Sequence, residues 1–293
     1  MKNILYIIIA LGLFTGFIFS ELDFFRPAVP YLIGLLLFLN FLEFQPKWER
    51  LFRMELLITL FLSALFMPLL VYYVLSRGMI IEYRIGLFFT AIAPSGIMML
   101  VLSRFVPQKD YNLIISNFLA TQFGVIIYLP LMTELVLGAS VSINVSYLFF
   151  QTAALVLVPF TASSLARNFT TADRFDSLRV AGSKIIPVLV YSIISVSVSG
   201  AAQEIQWNPD LIKISILVFL IYTIQGGLGY IGGFAFNSRS IRNSLTLAAS
   251  SRNIQLVLGL ALINFPPLTV VPMVIGIIFH HITNAMWLWL FRK

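Results

Sequence analysis

Cysteine is absent from this 293-residue chain, which excludes disulfides, thiolate metal sites and cysteine nucleophiles. Charge is also scarce. Only 11% of residues are charged, against about a quarter in an ordinary soluble domain, too few to coat a water-facing surface. The acids number twelve, and they fall in connectors or near the ends of apolar runs, as Glu43, Glu55, Asp110 and Glu134 do. A buried carboxylate proton relay is therefore not expected. No HExxH, GxSxG or aspartate pair lies inside an apolar run, so no intramembrane enzyme is expected, and neither is a metal centre or cofactor.

What the chain does have is apolar length: 59% of residues are hydrophobic and the mean hydropathy is +0.95. A bilayer core about 30 Å thick takes about 20 apolar residues per helix. Runs of that kind span residues 3–20, 28–44, 55–76, 84–105, 111–136, 143–166, 182–202, 210–235, 242–265 and 268–291, ten in all. They are too long and continuous for barrel strands, and backbone in lipid must be bonded internally, so helices are expected. The first run is read as a span; a signal peptide is the alternative, but the run is long and no small-x-small site precedes Glu21. The longest connector is the polar stretch 167–184. The net charge of +7 sits in the connectors, where it sets orientation and meets anionic headgroups, so the partner is a lipid bilayer and not nucleic acid.

Most of the nineteen Lys and Arg fall on one side of a ten-span arrangement. That side holds Lys2, Lys47, Arg50, Arg53, Arg104, Lys109, Arg167, Arg174, Arg179, Lys184, Arg239, Arg242, Arg292 and Lys293, against Arg26, Arg77, Arg84 and Lys213 on the other. The bias supports an even span count with both termini in the cytoplasm.

Spans 4 and 9 are each an apolar half, a small polar interruption and a second apolar half. The interruptions are Ala93-Pro94-Ser95-Gly96 and Ser250-Ser251-Arg252-Asn253. Lying five spans apart, they make two antiparallel units, 1–138 and 139–293: an all-α integral membrane protein built as an inverted 5+5 repeat. Interrupted helices at matching positions point to a transporter's central site.

Pro94 opens its helix, Ser95 and Gly96 tolerate non-helical backbone, and a half-helix resuming near Ser95 would offer free N–H groups to an anion. Ser250, Ser251, Asn253 and Gln255 add hydroxyls and amides at the same depth. The plain alternative is a packed kink whose polar groups bond local carbonyls. Arg252 lies mid-span, where its insertion costs roughly 2.5–3.5 kcal/mol or more. Its counter-charge is either the carbonyl end of the first half of span 9 or an anionic substrate held in a bidentate fork.

Other polar positions carry less. His280 and His281 lie mid-span, and at most one faces a pathway, with His280 the candidate. Asn117 and Gln122 are candidate pathway residues; with Asn40, Gln151, Gln225 and Asn284 they also suit interhelical hydrogen bonds. The glycine run from Gly226 to Gly233 reads as close helix packing or a hinge, and Trp287 and Trp289 as an interfacial anchor.

The stretches GLFFTAIAPSGIMM, AASSRNIQLVLGLALINF and VPMVIGIIFHHITNAMW resemble the bile acid:sodium symporter superfamily, which includes arsenite-efflux carriers. The resemblance implies panel and core domains, crossing unwound helices 4 and 9, and sodium-coupled organic-anion transport by alternating access in a bacterial inner (plasma) membrane. Auxin-efflux-type carriers share the outline. Where the family's sodium users carry Ser-Asn after the proline motif, Met99 and Leu100 stand here. Where they carry an acid and a Gln-Asn pair, Ala248 and Arg252-Asn253 stand. Gln255 falls where arsenite carriers have Glu. The expectation is an organic-anion carrier whose usual sodium site is degraded, with Arg252 taking over its charge. A sodium symporter using another site, or a transport-inactive receptor or scaffold, are the alternatives.

Overall fold

The computed structural model describes residues 2–42, 53–138, 141, 144–202 and 209–292, with the side chains of 2–6, 9 and 201 excepted. Of the charges used to orient the chain, Lys47, Arg50 and Lys293 lie outside the described residues, as do Glu43 and the side chain of Lys2.

The described residues are almost entirely helical, with no strand among them. Seven helices of 21 to 29 residues are long and apolar enough to cross a membrane: Ser20–Leu42, Glu55–Leu75, Tyr111–Leu137, Val145–Phe169, Ala172–Gly200, Pro209–Phe236 and Pro267–Leu290. At 1.5 Å per residue, about 20 residues already match the hydrocarbon thickness. The chain is thus an integral membrane protein by helix length and composition. The remaining three apolar runs fold as shorter pieces. Helix α1, Lys2–Ile18, has 17 residues. Spans 4 and 9 are broken, as the sequence leads one to expect, into α4 (Ile81–Ile92) and α5 (Met98–Ser103), and into α10 (Arg239–Ser250) and α11 (Ile254–Asn264).

The other elements are α2 (Val29–Leu42), entered through a 3-10 segment Ser20–Ala28, and α3 (Glu55–Leu75). Then come α6 (Tyr111–Leu137), α7 (Val145–Phe169), α8 (Ala172–Ala202), α9 (Pro209–Gly232) and α12 (Val271–Leu290). Pro68 removes a donor from α3, and π turns Leu62–Phe66 and Val71–Leu75 flank it; a widened turn is a common response to a lost i→i−4 bond.

The polar connector 167–184 is itself largely helical: α7 runs through Phe169, Thr170 is extended, and α8 begins at Ala172. No helix-breaking proline intervenes before Pro187, Asp173 suits the first turn, and the polar residues face outward. Arg167 is turned back to the carbonyls that end α2, donating to Phe41 O and Leu42 O.

Helix α1 lies on α8, and α2 on α7 and α8; α6 packs against α7, α10 and α3, α9 against α10 and α12, and α4 against α12. Arg26, ahead of α2, donates to Leu262 O of α11 at 3.0 and 2.7 Å. On the other side Arg53 joins Glu55 of α3 to Asp110, which caps α6 through the Leu113 N–H.

The glycine run of α9 is packing surface, as its composition suggests. Gly226 lies against the Trp287 ring, and a Cβ on Gly229 would stand 2.8 Å from Leu245 O and 2.9 Å from the Ala249 Cβ. Trp287 is half-buried against Gly226, and Trp289 is 56% exposed. Gly229→Val is expected to wedge α9 away from α10 and lower stability by about 1–3 kcal/mol, measured as a fall in Tm of the purified protein in detergent.

Candidate functional site

The two interruptions meet. Because Pro94 disfavours the helical region for its predecessor, Ala93 is extended, at φ −51° and ψ 138°, and ends α4. On the other side Ser251 is extended and Asn253 caps α11, its side chain accepting the Leu256 N–H at 3.3 Å. Ser95 and Arg252 pair as an antiparallel bridge. Gly96 N–H donates to Ser251 O at 2.8 Å, and Asn253 N–H donates to Pro94 O at 2.7 Å. Each interruption thus satisfies main-chain groups that the other leaves open, which a dry interior requires. Gly96 permits the contact: a Cβ there would stand 2.6 Å from Arg252 O.

Surrounding helices complete the crossing. The Ser95 N–H donates to Thr121 Oγ1 at 3.1 Å, Ser95 Oγ to Ala248 O at 2.8 Å, and Gln122 Nε2 to Ser95 O at 2.9 Å. Thr121 in turn donates to Asn117 O, and Thr59 of α3 donates to Asn117 Oδ1. Ser250 Oγ and Ser251 Oγ both donate to Asn284 Oδ1, at 3.2 and 2.9 Å. The Arg252 main-chain N–H donates to His280 Nε2 at 2.9 Å.

Arg252 sits at the centre, 2% exposed. Its Nε donates to Gln225 Oε1 and its Nη1 to Ala93 O, both at 3.2 Å; Gln225 is held by its own bond to Ala91 O at 2.9 Å. The guanidinium therefore caps the C-terminal end of α4, across the crossing, and not the end of its own first half. Its Nη2 is buried without a hydrogen-bond partner. Gln122 Oε1 and the hydroxyls of Tyr128 and Tyr222 are buried in the same condition, and both tyrosines lie within electrostatic reach of Arg252.

Of the residues singled out from the sequence, Pro94, Ser95, Gly96, Ser250, Ser251, Arg252 and Asn253 converge, with Gln122, Asn117 and His280 bonded around them. Gln255 lies in the first turn of α11, half-buried and outside this network. The chain resumes its helix at Met98 and not near Ser95. The N–H groups of Ser95 and Gly96 are taken by Thr121 and Ser251, so these two are not offered to an anion. The acceptor for Ser95 comes from α6 and that for Gly96 from the partner strand. The seryl hydroxyls are likewise spent within the crossing and Asn253 Oδ1 caps α11, while Arg252 Nη2 is a fully buried donor without an acceptor. Residues the sequence did not flag as a site are Gln225, Thr121, Asn284, Tyr128 and Tyr222. Their signal is a polar atom in an apolar run, weak because it equally marks helix packing. Among the described residues no group of three or more His, Cys, Asp or Glu comes together to hold a metal ion.

No family model matches the sequence. The chain is similar to the uncharacterized protein YbaS of Bacillus subtilis (strain 168), with 24% identity over 269 residues that cover 89% of this chain and 87% of that protein.

Proposed function

We propose that the protein is a secondary carrier of a small organic anion, working by alternating access around Arg252. The observation that carries this reading is a dry guanidinium with one nitrogen, Nη2, unmatched by any protein acceptor. A buried charge with open donor capacity is costly unless something completes its shell, and a carboxylate suits a planar fork in geometry and sign. The tyrosyl hydroxyls nearby would donate to the same anion.

Ten membrane-crossing segments in two inverted halves, 1–138 and 139–293, fit this role, with α1, α2, α7 and α8 as a panel and the remaining helices as a core. Supporting the inversion, the unwound stretches run antiparallel. The packing is also exchanged between halves: the first helix of each lies on the second of the other, α1 on α8 and α7 on α2. The resemblance to bile acid:sodium symporters and the charge bias that puts both termini in the cytoplasm belong to the same reading, as does the absence of an enzymatic reaction.

The familiar sodium site does not take part. Met99, Leu100 and Ala248 are buried with apolar side chains, and Ala248 O already accepts from Ser95 Oγ, whereas sodium needs a shell of oxygen ligands. Purified protein in proteoliposomes preloaded with unlabelled pyruvate, lactate, succinate or benzoate is expected to exchange the matching labelled anion. The rate should stay within about twofold when sodium is replaced by potassium, since no differential ion binding is present to shift the equilibrium. Flux that disappears without sodium refutes the coupling claim. No exchange of any anion favours the second reading, a carrier-fold scaffold in which the bonds from Arg252 to Gln225 and Ala93 serve only to tie α4 and α9 together.

A further inference from the structure

Taking the carrier reading as given, we propose that His280 is the proton-carrying residue of the site, so that the anion travels with a proton. The inference starts from a hydrogen bond whose direction is fixed. The main-chain N–H of Arg252 can only donate, and it points at His280 Nε2 at 2.9 Å. That nitrogen must present its lone pair, so the ring hydrogen sits on Nδ1 and the imidazole is neutral in this conformation. Asn284 agrees: its Oδ1 accepts from Ser250 and Ser251, which leaves Nδ2 to donate to the same Nε2 at 3.0 Å.

A proton arriving at Nε2 takes up the lone pair on which both bonds depend. N–H would then face N–H, at the residue that pairs with Ser95 across the crossing. Proton and closed crossing exclude each other. This is a two-state element with a titratable group at its joint, the arrangement through which a proton biases a conformational equilibrium. The step itself is simple. Nε2 takes a proton from water when the site is open to one side, Nδ1–H is retained, and the imidazolium returns that proton to water on the other side. The lone pair then re-forms its bond to Arg252.

The charge arithmetic favours the same pairing. An empty site holds Arg252 as one positive charge beside a neutral ring. With a monoanion on the guanidinium and a proton on His280, the net charge is again one positive. Loaded and empty carriers thus bear the same charge through the membrane interior, where each extra charge is expensive. The groups facing the ring are few. His281 of the same helix has its ring centroid 5.1 Å away, Tyr222 of α9 lies at 5.8 Å, and Arg252 lies between α10 and α11. Helix α4 brings the Ala91 and Ala93 carbonyls to the neighbouring Gln225–Arg252 pair, and the Tyr191 hydroxyl of α8 is turned to Thr15 of α1. The chain has two histidines, and histidine is the side chain whose ordinary titration falls in the physiological range.

The test uses full-length protein in proteoliposomes with labelled pyruvate, lactate and benzoate, protein-free vesicles being subtracted. Two readings are taken: exchange at equal pH on both sides, and net uptake under an inward proton gradient with the membrane potential clamped. Wild type is expected to exchange, and to raise its net uptake by up to about tenfold per pH unit, the change in proton activity. His280→Gln keeps an acceptor for the Arg252 N–H but carries no proton; whatever its rate at equal pH, its uptake with the gradient is expected to equal its uptake without it, as removing one linked ligand predicts. His281→Gln is expected to keep both. Wild-type exchange with no gradient response overturns the inference alone, as does a gradient response retained in His280→Gln or lost only in His281→Gln. Where His280→Gln does not exchange at all, His280→Asn is read by the same ratio of uptake with and without the gradient, and a ratio equal to that of wild type overturns the inference. Wild type without exchange of any of the three anions overturns the carrier reading and this inference together.

Discussion

Arg252→Gln is expected to abolish organic-anion exchange while leaving a folded protein. The guanidinium is the positive charge at the crossing and the donor of the unmatched Nη2. Truncating one partner of a buried charged pair costs about 2–5 kcal/mol, so apparent affinity should fall by roughly 30-fold to several thousand-fold. Stability should change far less. The variant weakens the bonds to Ala93 O and Gln225 Oε1, each worth about 1–3 kcal/mol if its acceptor is left bare, but it also removes a charge from a dry interior, which offsets part of that loss. Arg252→Lys restores the charge without the fork and should recover exchange only in part. Exchange in proteoliposomes and Tm in detergent separate the two roles: lost exchange with a preserved Tm marks a substrate residue, and a lowered Tm with preserved exchange marks a cap.

Gly96→Ala should damage the fold itself. The added methyl would stand 2.6 Å from Arg252 O, 2.8 Å from Arg252 C and 3.1 Å from Asn253 N, all main-chain atoms. None can swing aside, so the two strands must part. Parting them breaks the bonds from Gly96 N–H to Ser251 O and from Asn253 N–H to Pro94 O. Overpacking of about 1–3 kcal/mol then adds to the similar cost of each orphaned main-chain group. The total, on the order of 3–9 kcal/mol when one such cost is counted per broken bond, is a large share of a typical protein's net stability. Gly34→Ala is the control, since a Cβ at Gly34 meets nothing within 4 Å. A marked loss of Tm and of exchange in Gly96→Ala, beside a silent Gly34→Ala, is the expected result; equal behaviour of the two denies the close crossing.

What the residues reveal in advance follows from how local each signal is. Apolar runs of membrane length report on helices because burial in lipid depends on composition alone, and seven of them fold as unbroken helices of that length. The interruptions were legible because Pro94 removes a donor and because an arginine amid leucines and alanines stands out. The geometry around Arg252 was not. Its partners are Gln225, directly before the glycine run of α9, and the carbonyl of Ala93, and a carbonyl leaves no trace in sequence. The resumption of the helix at Met98 was missed because the acceptors for Ser95 and Gly96 come from α6 and from the other interruption, far away in the chain. Gln255 sits within the first turn of α11, half-buried, and makes none of the hydrogen bonds described at the crossing. The stretch 167–184 is legible as a polar connector but not as helix, because α7 and α8 continue past the apolar runs with their polar residues facing out.

The claim on which everything else stands is that an anion completes the shell of Arg252. It is tested most directly by ligand stabilisation of the purified protein in sodium-free buffer, comparing pyruvate, lactate, succinate and benzoate with choline at equal concentration. A ligand at about 100 times its Kd adds about 2.7 kcal/mol, which for a chain of this size raises Tm by roughly 5–10 °C. At least one carboxylate should do so for the wild type and none for Arg252→Gln, with choline inert. An equal rise in the Arg252→Gln protein, or stabilisation by choline alone, contradicts the account.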